Sequence, residues 1–75
     1  VAALDGGPDG LEPTRRLTVA ARRTLAPGGL IALEVDSRRA DATAALVQDA
    51  GFPAVAIAYD LFNRPRYVWA EQPGA

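Results

Sequence analysis

The residues equipped for chemistry in this 75-residue chain are its acids, its arginines and a glycine-rich opening. The opening, ALDGGPDGLEPTRRL from Ala3 to Leu17, places Gly6, Gly7 and Gly10 beside Pro8, Asp5 and Asp9. A phosphate cradle needs a strand before it, a helix after it, and either a Gly-Lys-Ser/Thr ending or three correctly spaced glycines. GGPDGLEP has neither ending, and Pro8 removes an N–H that a cradle would use. The stretch therefore reads as a shaped turn that starts a helix. Glu34 and Asp36 fall at the end of an apolar strand, where open α/β sheets bind ligands. They have a structural use as well: Asp36 can cap the next helix, and Glu34 can pair with an arginine. Arg64 and Arg66 flank a later turn, and Arg66 can reach Asp60, Glu34, a substrate or an acidic partner. Trp69 and Tyr67 read as packing residues. No nucleophile–base pair and no metal-ligand cluster emerges, so no catalytic, cofactor or metal ligand is assigned within the chain.

The elements that must position these groups follow from pattern. Pro13 suits the first turn of a helix, and Asp9 with Glu12 has the spacing of a capping box. Leu17, Ala20, Ala21 and Leu25 step by three and four and define its buried stripe, with Arg15, Arg16, Arg22 and Arg23 mostly opposite. Pro27-Gly28-Gly29 ends it. LIALEV, Leu30 to Val35, is nearly continuous in apolar residues and reads as a covered strand. A second helix, capped by Asp36 or Ser37, runs to about Ala50, with Ala42, Leu46, Val47 and Ala50 buried. Gly51 stops it and Phe52 folds back on its last turn. Ala54–Tyr59 and Arg66–Glu71 are two more strands joined by DLFNRP. The order helix, strand, helix, strand, strand predicts an α/β fold. A strand–helix–strand unit calls for a parallel pair, and the short link into Arg66 calls for an antiparallel partner. Both helices are expected on one face, leaving the other face and the free edge of Leu30–Val35 bare, which invites association.

Composition narrows the function classes. The chain has no His, Cys or Met. That removes the commonest general base and metal ligand and any disulfide staple. A net charge of -1, with all eight basic residues Arg, gives no argument for nucleic acid or an anionic membrane. No apolar run approaches the ~20 residues of a spanning helix, so the expected location is cytoplasmic. A start at Val1 without Met leads us to expect a piece of a longer protein, residues 1–75 being a partial domain.

The motifs, taken in order, resemble the C-terminal half of the release factor glutamine methyltransferases of the HemK/PrmC type, class I S-adenosylmethionine-dependent enzymes. The matching stretches are Ala-Leu-x-Gly-Gly-x-Asp-Gly-Leu at Ala3–Leu11, Leu-x-Pro-Gly-Gly leading to a strand Glu at Leu25–Glu34, Gly51-Phe52, the Asp60-Leu61 turn, and Arg66 opening the last strand. The resemblance implies a Rossmann-like sheet of strand order 3-2-1-4-5-7-6, of which this chain would hold strands 5, 6 and 7, with the last strand antiparallel between the other two. It implies that the S-adenosylmethionine loop and the Asn-Pro-Pro-Tyr acceptor motif lie upstream of Val1, so the chain alone is inactive. It places Gly6, Gly7 and Asp9, with Glu34 and Arg66, beside the acceptor pocket, and it names a peptide chain release factor as protein substrate. Asp36 and Arg39 stand where that family usually has Gly and Gln. Two other readings stay open: a class I methyltransferase fragment with another acceptor, and a small interaction module that pairs its bare sheet face with a partner or with itself.

Overall fold

The computed structural model describes residues 10–74. Helix α1 spans Glu12–Thr24, strand β1 Leu30–Glu34, helix α2 Ala40–Asp49, strand β2 Val55–Tyr59 and strand β3 Pro65–Glu71. A short 3-10 turn, Ser37–Arg39, leads into α2. The sheet order is β1-β3-β2, with β3 antiparallel to both neighbours. The two strands of the strand–helix–strand unit thus run in the same direction but do not touch. The last strand lies between them, in the place the family resemblance gave it, and supplies hydrogen bonds to both. Register sets Ala32, Trp69 and Ala56 in one row and Leu33, Val68 and Ile57 in the next.

Alternation along the strands sorts these rows onto two faces. Ile31, Val68 and Ala70 face the helices and pack with Val47 and Phe52, with Ala21 and Leu25 of α1 closing over them. Both helices therefore cover the same face. Leu30, Tyr67 and Trp69 point the other way. The reading of Tyr67 and Trp69 as packing residues is corrected: they lie on the face away from the helices and are 45% and 41% exposed.

The helix stripes differ from the expected ones in instructive ways. Leu17 is 52% exposed and Ala20 is also outside, whereas Thr18 is fully buried. The Thr18 hydroxyl donates to the Thr14 carbonyl at 2.6 Å, which satisfies it within the helix and lets its methyl group pack inward. Ala42 is likewise exposed, and Ala40, Thr43 and Val47 form the buried side of α2. The first helix begins at Glu12 after Leu11, which makes no side-chain cap, so Glu12 does not occupy the third position that the capping-box spacing required. Its proposed partner Asp9 lies outside the described residues.

The chain end is tied back to α1. Gln72, only 6% exposed, donates from Nε2 to the carbonyls of Arg22 (2.9 Å) and Leu25 (2.8 Å) and accepts from Arg22 Nη1 at 3.2 Å. Arg22 Nε also donates to the Gly51 carbonyl at 3.0 Å. This arginine, expected on the solvent side, joins the end of α1, the turn after α2 and the end of β3.

Candidate functional site at one end of the sheet

Because β1 and β2 run the same way, their C-terminal ends and the N-terminal end of β3 share one end of the sheet. Glu34, Asp36, Tyr59, Asp60, Arg64 and Arg66 gather there. Arg66 Nη2 meets Glu34 Oε2 at 3.3 Å, across neighbouring strands. Of the partners open to Arg66 in the sequence, Glu34 is the one the fold supplies. Asp60 is taken by Arg64, whose Nε lies 3.3 Å from Oδ2. The Val35 N–H donates to the Arg66 carbonyl at 2.9 Å and extends the β1–β3 ladder into the site.

Asp36 caps the 3-10 turn Ser37–Arg39 and not α2 itself, whose own N-cap, Arg39, makes no side-chain cap. Asp36 Oδ1 accepts from the Arg38 N–H at 3.0 Å, and Oδ2 pairs with Arg38 Nη2 at 3.2 Å. Side-chain hydrogen bonding from Arg38, then its backbone N–H, holds the Asp36 carboxyl below the usual aspartate range. Asp60 is also lowered, chiefly by the Arg64 N–H, with the Phe62 N–H adding to it. The three acids at this end, Glu34, Asp36 and Asp60, are each matched to an arginine. Asp36 and Asp60, held charged in this way, are poor proton acceptors at neutral pH and contribute shape and fixed charge rather than acid–base chemistry.

The start of α1 reaches the same end. Gly10, Thr14, Leu33, Glu34, Asp36 and Arg39 border a cleft of about 170 Å³. Gly10 has φ 73°, and a Cβ there would come 2.8 Å from Cζ of Arg39. Glycine is favoured here by the left-handed backbone, and the mobile Arg39 guanidinium lies against the space a Cβ would take. Arg39, which the sequence reading noted only as a departure from a family pattern, is thereby part of the cleft. A second groove of about 300 Å³ lies between Asp36, Asp60, Arg64 and Arg66. The larger apolar groove of about 470 Å³ lies between the helices, lined by Leu11, Val19, Ala42 and Leu46, away from the strand ends. Of the five residues expected beside the acceptor pocket, Glu34 and Arg66 are brought into contact here. Gly6, Gly7 and Asp9 lie outside the described residues. Among the described residues no group of acids could hold a metal ion, and no helix is long and apolar enough to cross a membrane.

An antiparallel strand between two co-directional strands, with two helices on one face, defines an α/β piece whose charged groups collect at one end of the sheet. Comparison with known proteins gives the family. The chain is 36% identical to a release factor glutamine methyltransferase of Clostridium acetobutylicum over 99% of its own length and 26% of the relative's. It is 44% identical to that of Caulobacter vibrioides over 88% and 23%, and 42% identical to that of Deinococcus radiodurans over 96% and 26%. The chain is thus a relative of the release factor glutamine methyltransferases, matching a C-terminal part of them. It spans about a quarter of the length of these relatives. No family model matches the chain, and no solved structure matches it.

Proposed function

We propose that residues 1–75 form the acceptor-side part of a class I methyltransferase domain that methylates the side-chain amide of a glutamine in a peptide chain release factor. The observation that carries this reading is the similarity, running along nearly the whole chain, to relatives bearing that name. In this reading β1, β2 and β3 are strands 5, 6 and 7 of the sheet, and the parent works in the cytoplasm. S-adenosylmethionine, bound by the parent outside this chain, supplies an electrophilic methyl group on sulfonium. The residues at this end suit a supporting role, since Glu34, Asp36 and Asp60 are each paired with an arginine. An amide is a weak nucleophile, so methyl transfer to its nitrogen depends on orientation and electrostatics. The Glu34–Arg66 pair and the Gly10–Arg39 contact would fix the wall against which the acceptor loop lies, with Gly6, Gly7 and Asp9 extending it.

The test is to read the coding sequence upstream of Val1 and express the complete protein. Methyl transfer from labelled S-adenosylmethionine to a release-factor glutamine is expected from the complete protein, with no cofactor binding by the 75-residue chain alone. An upstream sequence holding a cofactor loop without Asn-Pro-Pro-Tyr would instead favour another acceptor. The interaction-module reading has one observation in its favour, the exposed Leu30, Tyr67 and Trp69 of the bare face. It would be taken up if a start codon stood at Val1.

A further inference from the structure

We infer that the tip of the β2–β3 hairpin, Leu61 and Phe62, is a docking element that grips the protein substrate beside the acceptor cleft. This rests on the methyltransferase reading above. Leu61 is 100% exposed and Phe62 77% exposed, and Tyr59 stands exposed at the end of β2 just before them. Turns are ordinarily built from Gly, Pro, Asn, Asp and Ser. The local backbone here is served by Asp60 and Asn63 alone, so the turn has no need of a leucine or a phenylalanine. Large apolar side chains grouped on a surface mark a contact.

The tip is also held ready. Asp60 Oδ1 accepts from the N–H groups of Phe62 (2.8 Å) and Arg64 (3.0 Å). The Asp60 N–H donates to the Arg64 carbonyl at 2.8 Å, and the Asn63 N–H to the Asp60 carbonyl at 3.0 Å. Asn63 takes the left-handed conformation, φ 62°, that closes the turn. The Arg64 guanidinium lies over the Phe62 ring, 5.3 Å from its centre. A preformed tip forfeits little order on binding. Arg64 is neutralised by Asp60, so the tip has no net charge to offer a phosphate or an anionic lipid. It fits an apolar socket on a folded protein.

Position selects the partner. A groove lies between Asp60 and Arg64, at the base of the tip, and Asp36 and Arg66, and Arg66 in turn pairs with Glu34 of β1. A protein that lays a glutamine-bearing loop across this end of the sheet must pass the tip. A short peptide holding only the glutamine would not reach it.

The experiment uses the complete methyltransferase that contains this segment, unmutated and as the double variant Leu61→Ser, Phe62→Ser. Steady-state methylation is measured with the intact release factor and with a short peptide of its acceptor loop, alongside S-adenosylmethionine affinity and Tm. The expected result is a roughly 10-fold or greater loss of kcat/KM on the intact protein, carried by KM. Turnover of the peptide, cofactor affinity and Tm should stay level. Equal loss on both substrates, or no loss on either, overturns the inference. A lowered Tm overturns it too, because the tip is then covered by another part of the parent chain. If the unmutated enzyme leaves the release factor unmodified, it is the functional reading that fails, and the docking inference falls with it.

Discussion

Replacing Gln72 by Ala should loosen α1 from the rest of the fold. The side chain is buried and makes three hydrogen bonds: two from Nε2 to carbonyls at the end of α1, and one accepted from Arg22. A neutral hydrogen bond contributes about 1 kcal/mol net and one to a charged group about 1.5–3. The sum, roughly 4 kcal/mol, is an upper figure, because water can reach the end of α1 and replace part of what is lost. A net cost of about 2 kcal/mol remains, which in a domain this small lowers Tm by roughly 8–16 °C. Urea unfolding followed by far-ultraviolet circular dichroism measures it. Gln72→Glu sharpens the test. It keeps the length and the acceptor for Arg22, yet sets a carboxylate against two carbonyls, so at neutral pH it should cost more than Ala and recover as the pH is lowered. A Gln72→Ala chain within about 0.5 kcal/mol of the parent would refute the reasoning that this residue fastens the helix.

Other expectations follow from the same geometry. The Asp60 carboxyl is held below its ordinary range, so its folded pKa lies under the unfolded value of about 3.9. The support it gives the hairpin is complete above that value and fades as pH falls through the folded pKa; amide exchange at Phe62 and Arg64 should speed up only in that acid window. In Asp60→Asn the window should vanish while the turn persists, and unchanged acid behaviour would count against the account. Glu34 and Arg66 form an exposed pair, so a double-mutant cycle should give a coupling of only about 0.2–1 kcal/mol in stability. In the complete enzyme, Arg66→Ala should lower methylation far more than it lowers Tm, and proportional losses would make the pair merely structural. Trp69 lies on the uncovered face, so the 75-residue chain should associate with itself and Trp69→Ser should weaken that. Sedimentation of the parent chain as a monomer would contradict it.

Much of the fold is legible in the sequence, because strand and helix signals there are strong and local. Pro27-Gly28-Gly29, the apolar run from Leu30 and Gly51-Phe52 mark boundaries that hold to within a residue or two. Strand order is another matter. Residue pattern asks for a co-directional pair from β1 and β2 but cannot say whether β3 stands outside that pair or between its members. The likeness to a known family supplied that step. The helix stripes depart from the hydropathy pattern for a physical reason. Thr14, Thr18 and Thr43 look polar, yet the Thr18 hydroxyl is satisfied inside its own helix, leaving a methyl group to pack. Leu17 reads as core but sits on the solvent side. The buried stripe is shorter and more polar than hydropathy alone would draw it.

The site was legible to the extent that its parts are near one another in sequence. Asp36 as a cap and Asp60 as the turn acid follow from spacing of two to four residues. The Glu34–Arg66 contact was open to two partners until the sheet order was known, because 32 positions separate them in the chain. Arg22 with Gln72, 50 positions apart, and Gly10 with Arg39 are likewise distant in sequence, and no local pattern marks them. The Arg22–Gln72 contact ties one end of the sheet to α1, and the Gly10–Arg39 contact joins the start of α1 to the opposite end, which Glu34 and Arg66 occupy. Each acid there has an arginine, and the glycine at position 10 leaves room for the Arg39 guanidinium. A Gly10→Ala substitution should therefore be felt at Arg39. It strains a backbone at φ 73° and displaces the guanidinium together, whereas Arg39→Ala alone should leave the turn intact. If Gly10→Ala proved as mild as Arg39→Ala in both stability and activity of the complete enzyme, the close approach would carry no weight in shaping this end of the sheet.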